Sequence, residues 1–338
     1  MYIVRPVQLQ DLDALMQLSA QAEAGLTTLP CDENILKRRI ESSLKSFANQ
    51  PTKPGGETYF FVLEDLTLNK VVGTSAIVSK VGGFEPFYSY EIKTRIKESK
   101  LLQIHKEIKY LQLVKNYNGP TEIGTLFISP EARKKGVGRL LSLGRFLFMA
   151  QYPECFEEDV IAEMRGVFDD NNVSPFWEAM GRHFFDMEFK KADLMGMTDK
   201  TFIADLMPEH PIYIPLLPKE AREVVGKVHK NTEPALGMLK SEGFEFNGEV
   251  DIFEAGPVVT AKLGDIRSIK QSRFEEISNV GESNDNADYI VANVSDFQNF
   301  FATLGCVSDV EGGVSLPINV AQAINVDKGQ NIRFVTMR

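Results

Sequence analysis

Six consecutive residues, Arg133-Lys134-Lys135-Gly136-Val137-Gly138, carry the strongest chemical signal in this 338-residue chain. They follow a β-rich run, Thr121 to Ile128, and a turn at Ser129-Pro130-Glu131, and they open an amphipathic helical pattern over Arg133 to Met149. The first N–H groups of a helix lack intrahelical partners and, together with the helix dipole, attract an anion. Two glycines let a pyrophosphate approach the backbone without meeting a Cβ. The segment is not a P-loop, because G-x-x-x-x-G-K-[ST] is absent, and Arg133 stands where a dinucleotide fingerprint has its first glycine. On these residues alone, a basic solvated turn is the competing reading.

Four histidines are available for proton transfer. His105 lies in a Lys-rich stretch and reads as surface. His183 follows Arg182 at a helix end and suits a cap, and His210 sits in a turn between Glu209 and Pro211. His229 stands between Val228 and the turn Lys230-Asn231-Thr232. By position it reads first as a cap or surface residue.

Around these groups the pattern alternates between strand and helix. Tyr2 to Val7 reads as a strand, Leu9 to Ala20 as a helix, and Asp32 to Phe47 as a second helix with Ile35, Leu36, Ile40 and Leu44 on one face. A breaker run, Gln50 to Gly56, ends it. Tyr59 to Leu63 and Val71 to Val78 read as an antiparallel hairpin. Residues 81–119 form an aromatic, then Lys-rich insertion with little pattern. Val160 to Met164 is a strand, and Ser174-Pro175 is an N-cap followed by a first helical residue. Phe184 to Phe189 and Phe202 to Met207 read as strands. Lys219 to Val228 and Thr232 to Lys240 read as short helices, and Phe244 to Phe253 as a strand. Beyond Gly256-Pro257 the chain is β-rich, with a turn-prone acidic loop at Gly281 to Asp288 and an ending compatible with a small β-barrel. A faint echo of Pro130 to Gly138 in Lys219 to Gly226 is no repeat array.

Hydrophobic residues make up 43% and charged residues 25%, a folded-protein composition far from the signature of disorder. No apolar run approaches the roughly 18 residues a bilayer span needs, and the start reads as strand and acidic turn, not as a signal peptide. A cytoplasmic protein is expected. Cys31, Cys155 and Cys306 lie far apart without C-x-x-C spacing, which excludes a zinc ribbon and a disulfide framework. A formal charge of 37 − 47 = −10 argues against nucleic-acid and anionic-membrane binding. An anionic ligand must therefore meet a local basic site.

The hexapeptide in this setting resembles motif A of the GNAT superfamily of N-acetyltransferases, whose members bind acyl-CoA pyrophosphate there. Ile3-Val-Arg-Pro6 with Asp11, the hairpin at 59–78 and Ser174 to Phe185 resemble other elements of that fold. Over nearly the full length, Met1 to Pro6, Gly25 to Pro30, Thr125-Leu-Phe127, Ala162-Glu-Met-Arg-Gly166, Ser174-Pro-Phe-Trp177, Met207 to Tyr213, Val228-His229 and Asp251-Ile-Phe-Glu-Ala-Gly-Pro257 resemble the arginine N-succinyltransferase family. One departure is Asn116 to Glu122, compact relative to that family.

The resemblance implies an α/β (α+β) GNAT fold, a mixed twisted sheet flanked by helices, with a β-rich C-terminal module. The expected division is 1–208 for the acyl-CoA-binding domain, 209–255 for an extension carrying His229, and 256–338 for the β-rich module. The implied reaction is direct attack of the L-arginine α-amine on succinyl-CoA, opening the succinyltransferase route of bacterial arginine degradation. Thr125, Leu126, Phe127 and Ile128 would contact the pantetheine arm and the thioester oxygen, a contact worth about 3 kcal/mol in comparable acyl transfers. Arg133, Lys134, Lys135, Gly136, Val137, Gly138 and Arg139 would hold the pyrophosphate. His229 takes the place of a proton donor, and Glu122 and Glu163 are candidates for the base. Arg165, Arg182, Asp169 and Asp170 suit the substrate's charged groups. No metal and no cofactor beyond the acyl-CoA co-substrate is expected. The partners implied are succinyl-CoA and L-arginine, with self-association or assembly with a homologous chain. Two readings compete: another CoA-dependent N-acyltransferase, using acetyl-CoA, ornithine or a polyamine, and a non-catalytic acyl-CoA sensor or scaffold.

Overall fold

The computed structural model describes residues 1–22, 28–83, 85–197 and 199–337. Gly25, Leu26 and Thr27 of the Gly25 to Pro30 segment lie outside the described residues. In chain order the first strands are β1 (Tyr2–Pro6), β2 (Thr58–Asp65), β3 (Lys70–Val78), β4 (Phe87–Ser99), β5 (Ile104–Asn116), β6 (Thr121–Ile128), β7 (Asp159–Glu163) and β8 (Ile212–Tyr213). Then follow β9 (Glu245–Val250), β10 (Pro257–Lys262), β11 (Arg273–Gly281), β12 (Tyr289–Asn293), β13 (Phe301–Gly305), β14 (Ser308–Val310), β15 (Gly313–Pro317) and β16 (Asn331–Thr336). They form one mixed sheet in the order β14-β15-β11-β16-β12-β13-β1-β2-β3-β6-β7-β10-β9-β4-β5-β8.

The expected hairpin is present as β2 and β3, paired antiparallel. Side chains alternate across a strand, so Tyr59, Phe61 and Leu63 enter one core while Phe60 and Val62 enter another. Helices α1 (Leu12–Gln21) and α2 (Glu33–Asn49) cover the Phe60 face. Asp32 caps α2 by accepting from the Ile35 N–H at 2.9 Å, and Gln50 ends it at φ 44°.

The Phe61 face packs on α3 (Val137–Gln151). This helix starts at Val137 and not at Arg133, because Gly136 at φ 87° turns the chain immediately before it. Nor is it amphipathic: Leu140 through Met149 are all buried. The sheet accounts for this, since β1, β3, β12, β13 and β16 all contact α3. The C-terminal strands join the sheet where β13 pairs with β1, Thr303 opposite Ile3. Strand pairing likewise links β10 to β7, so the sheet runs across both expected boundaries near 208 and 255.

Three expectations change. Residues 81–119 hold β4 and β5, a 13-residue pair whose outer halves are exposed, which is why no buried periodicity marks them. Phe184 to Phe189 and Phe202 to Met207 hold no strand: Gly181–Phe185, Phe189–Gly196 and Thr201–Leu206 are helices, with Asp186 to Glu188 linking the first two. Their aromatics pack on Trp177 and one another, with Phe185 stacked on the indole at 5.6 Å and Phe202 edge-on to Phe185 at 5.4 Å. Tertiary packing overrides β propensity here. The helix from Lys219 stops at Val224, leaving His229 in extended chain. Among the described residues, no helix is long and apolar enough to cross a membrane.

Candidate active site

Strands β6 and β7 run parallel but pair at two positions only, Thr121 with Val160 and Glu122 with Ile161. Beyond them β6 stays on β3, while β7 stays on β10, with Glu163 opposite Val258. The two strands therefore part into a wedge, which opens a cavity of about 480 Å³. Glu122, Thr125, Leu126, Phe127 and Ile128 line one wall, and Glu163 and Arg165 line the other. A strand that has lost its neighbour presents unpaired backbone N–H and C=O groups, and here they face a cavity instead of bulk solvent.

A bulge shapes the β6 wall. Thr74 pairs with Phe127 and Ala76 with Gly124, so two residues, Thr125 and Leu126, oppose Ser75 alone. Thr125 takes φ 54° to make this possible. Behind the bulge lies Arg145 of α3, 2% exposed, donating through Nη1 to the carbonyls of Ala76 and Gly124 at 3.2 and 3.1 Å and through Nε to Ser142 O at 2.9 Å. Burial pushes its guanidinium down to about 9.

At the far end of the wedge the chain makes a tight turn, Pro130–Ala132, and then the basic loop. Arg133, which lines the cavity, donates from Nε to the Ile128 carbonyl at 3.1 Å and lies over the Phe127 ring. Lys134 lies over the Tyr2 ring. Lys135 is exposed, and Val137 is buried. A Cβ on Gly138 would meet nothing nearer than Ile128 Cδ1 at 3.9 Å, so open space lies in front of the helix start. Arg139 donates to the Met337 carbonyl at 2.9 Å, which fastens the C-terminal strand to the same helix turn. Lys134 to Arg139 thus sit beside the cavity's end and do not line it.

Carboxyl groups gather behind the β7 wall. The turn Asp251 to Gly256 is wound so that Asp251 Oδ1 accepts from the N–H groups of Phe253 and Glu254, both at 2.7 Å. Glu254 then accepts from the Gly166 N–H at 2.8 Å through Oε1, while its Oε2 is buried without a partner. Burial, then Asp251 and Glu122, hold the Glu163 carboxyl well above the usual carboxylate range. Burial likewise raises Glu122, against the opposing pull of Lys200 and Arg39, and raises Asp251 against its backbone donors. Asp193 is pushed up to about 7 by burial and by Asp251.

His229 is 7% exposed and belongs to a second cavity of about 490 Å³, which Asp169 and Asp170 also line. Asn231 lines both cavities, so they adjoin there. Nδ1 of His229 accepts from the Asn231 N–H at 3.1 Å. An accepting nitrogen carries no proton, which puts the neutral ring's proton on Nε2.

Of the sequence candidates, the fold brings Glu122, Glu163, Thr125 to Ile128, Arg133 and Arg165 to one cavity and sets His229 in the next. Arg182 is elsewhere, paired with Glu178 and Glu188, both at 2.8 Å. Arg145, Arg39, Asp193, Asp251 and Glu254 were not among the candidates. For Arg145 the signal was available: a lone cation in the apolar run Leu140 to Met149.

The sequence is matched over residues 2–268 by the family model described as arginine N-succinyltransferase beta subunit. It is 46% identical over 293 residues to arginine N-succinyltransferase subunit beta of Pseudomonas aeruginosa, covering 86% of this chain and 85% of that one. It is 40% identical over 339 residues to arginine N-succinyltransferase of Salmonella schwarzengrund, covering 100% and 98%. The solved structure of arginine/ornithine succinyltransferase subunit AI from Pseudomonas aeruginosa superposes with a TM-score of 0.90 at 36% identity, covering 100% of this chain and 99% of that one.

Proposed function

The chain belongs to the arginine N-succinyltransferase family, and from that premise we propose that its wedge transfers the succinyl group of succinyl-CoA to the α-amine of L-arginine. The parting of β6 from β7 after two pairs carries this reading, because it exposes strand backbone inside an enclosed cavity ending at a basic helix start. The pyrophosphate rests on Arg133 to Gly138, with Arg139 behind, and the pantetheine arm runs along Thr125 to Ile128.

The acceptor amine must first lose a proton, and Glu163, with Glu122 as the weaker candidate, takes it directly or through water. The raised affinity of Glu163 for a proton suits that task. The amine nitrogen then bonds to the thioester carbon. Backbone N–H groups of the β6 bulge hold the oxyanion as it forms. When the C–S bond breaks, the thiolate takes the proton from Nε2 of His229, and the proton that the attacking nitrogen still carries in excess passes to the ring, which ends neutral. Glu163, Asp251 and Glu254 bring three carboxyl groups to the β7 side, acceptors that suit the guanidinium of an acceptor such as arginine.

No metal or further cofactor takes part, and the enzyme works in the cytoplasm. The Pseudomonas aeruginosa relatives are named as subunits, which supports self-association, with itself or with a homologous chain.

Initial rates with succinyl-CoA or acetyl-CoA as donor, and arginine or ornithine as acceptor, test the reading. Succinyl-CoA with arginine should have the highest kcat/KM. Equal use of acetyl-CoA, or a preference for ornithine, overturns the assignment of donor or acceptor. Tight CoA binding with no turnover would leave a non-catalytic acyl-CoA-binding protein.

A further inference from the structure

Among the described residues, the charge of Arg145 has no counterpart. The side chain is 2% exposed in a helix whose other residues from Leu140 to Met149 are buried and otherwise uncharged. Its hydrogen-bond acceptors among the described residues are three backbone carbonyls, of Ala76, Gly124 and Ser142. Among the described residues no carboxylate offsets its burial, and at about 9 it still carries its charge at neutral pH. The other cations of the region differ: Arg39 and Lys200 act on Glu122, and Arg165 acts on Glu254. Tying down the carbonyls of a strand bulge needs N–H donors but not a charge, and an amide would supply them. A desolvated guanidinium without an anion is costly to keep for that purpose.

Arg145 also lines the wedge cavity. Nε and Nη1 are engaged, whereas Nη2 makes no hydrogen bond to the described residues. The unpartnered side-chain atoms sealed inside the protein include Ser142 Oγ and Glu254 Oε2 but not Nη2 of Arg145, so that nitrogen keeps some accessible surface on a residue that lines the cavity. The Gly124 carbonyl that Nη1 holds directly precedes Thr125, where the bulge begins.

We infer that Arg145 is the specificity residue for the acyl donor: its open Nη2 edge receives the distal carboxylate of the succinyl group when the thioester lies against the bulge. This rests on the placement of the acyl-CoA in the wedge. It explains how the site favours a dicarboxylic acyl group over acetyl, since an acetyl donor offers the cation no counter-charge. A guanidinium suits the role because its planar fork can serve the protein carbonyls on one nitrogen and a carboxylate on another.

The test is the affinity of non-reactive dethia analogues of succinyl-CoA and acetyl-CoA, measured by calorimetry on wild type, Arg145→Met and Arg145→Lys, with Tm as a check of folding. Arg145→Met should weaken the succinyl analogue about 100-fold and change the acetyl analogue less than threefold. Arg145→Lys, which keeps the charge without the fork, should fall between. Equal losses for both analogues would show that Arg145 serves only the bulge, and unchanged affinity for both would remove it from the site altogether. Either result overturns the inference while leaving acyl-CoA binding intact. If wild type binds neither analogue, the placement of acyl-CoA itself fails. Should both variants fail to fold, the wild-type protein still decides: it should bind the ω-methyl ester of the succinyl analogue about 100-fold more weakly than the free acid, and equal binding would sink the idea.

Discussion

The backbone N–H of His229 donates to the carbonyl of Arg165 at 2.8 Å, so the histidine is fastened to the chain two residues beyond Glu163. The candidate acid and the candidate base thus share one mechanical mount on the β7 wall. A shift of that strand end would move both together.

Replacing His229 separates chemistry from architecture. Its Nδ1 caps the short turn Lys230–Thr232 by accepting from Asn231. His229→Ala should therefore cost about 1 kcal/mol of stability and, as loss of a proton donor, lower kcat by roughly 10²-fold or more. Acyl-CoA affinity should persist. His229→Gln can restore an acceptor to the turn but not a titratable donor, so its Tm should recover while kcat stays low. A folded His229→Gln enzyme with near-normal kcat would remove the histidine from the mechanism.

The two glycines of the loop should fail differently. Gly138 faces open space, so Gly138→Val should raise the KM for succinyl-CoA at least tenfold, about 1.4 kcal/mol, with little change in Tm. Gly136 holds φ 87°, and a Cβ there would meet Leu304 Cδ1 at 3.1 Å. Gly136→Val should therefore lower Tm as well. If both variants keep acyl-CoA affinity within about threefold, the pyrophosphate lies elsewhere.

A base works only when deprotonated, so the raised proton affinity of Glu163 sets an acidic limb in kcat/KM above the ordinary carboxylate range. Activity should climb as pH rises through that limb. Glu163→Gln should lower kcat and erase the limb, whereas a variant that keeps the wild-type profile would pass the role to Glu122 or to bulk water.

Asp193 gives a stability test with a fixed sign. Its carboxyl is pushed up to about 7 by burial and by Asp251, so the folded protein holds this proton more tightly than the unfolded chain does. That contribution is complete below the unfolded carboxyl pKa of about 4 and is lost as pH rises toward 7. Asp193→Asn, neutral throughout, should match wild-type Tm near pH 4 and exceed it at pH 8. A Tm difference independent of pH would mean the carboxyl is ordinarily solvated.

Salt should weaken acyl-CoA binding although the protein carries a net charge of −10, because Arg133, Lys134, Lys135 and Arg139 concentrate positive potential at one helix start. Arginine binding should change less. Acyl-CoA affinity that is flat in salt would show those side chains to be bystanders.

What could be read beforehand followed from local rules. The β2–β3 hairpin showed its buried run and turn, Asp32 its cap, and Gly136 and Gly138 their place after a strand. What escaped depends on contacts distant in sequence. Phe185 and Phe202 have strand-like neighbours but are helical because Trp177 offers them a packing surface. β4 and β5 escaped because half their length lies in solvent, which leaves no apolar alternation to detect. Asp251 and Glu254 stood within a segment quoted for its family resemblance, yet their place behind the β7 wall depends on a turn that folds back on Gly166. Arg145 was passed over because a helix read as amphipathic has room for a cation, whereas this one has no solvent face.

The pairing of β1 with β13 has a consequence for how the chain is made. Ile3 finds Thr303 only when some three hundred residues have left the ribosome. Until then α3 is short of its cover, since β12, β13 and β16 are all synthesised after it. A nascent chain thus carries a greasy, half-wrapped helix for most of translation, which at about 5–20 residues per second means tens of seconds of exposure to aggregation. The helix turn proposed for the acyl donor is completed last, when Met337 reaches Arg139. Chains cut short before β16 should therefore be insoluble, and not soluble with weakened activity.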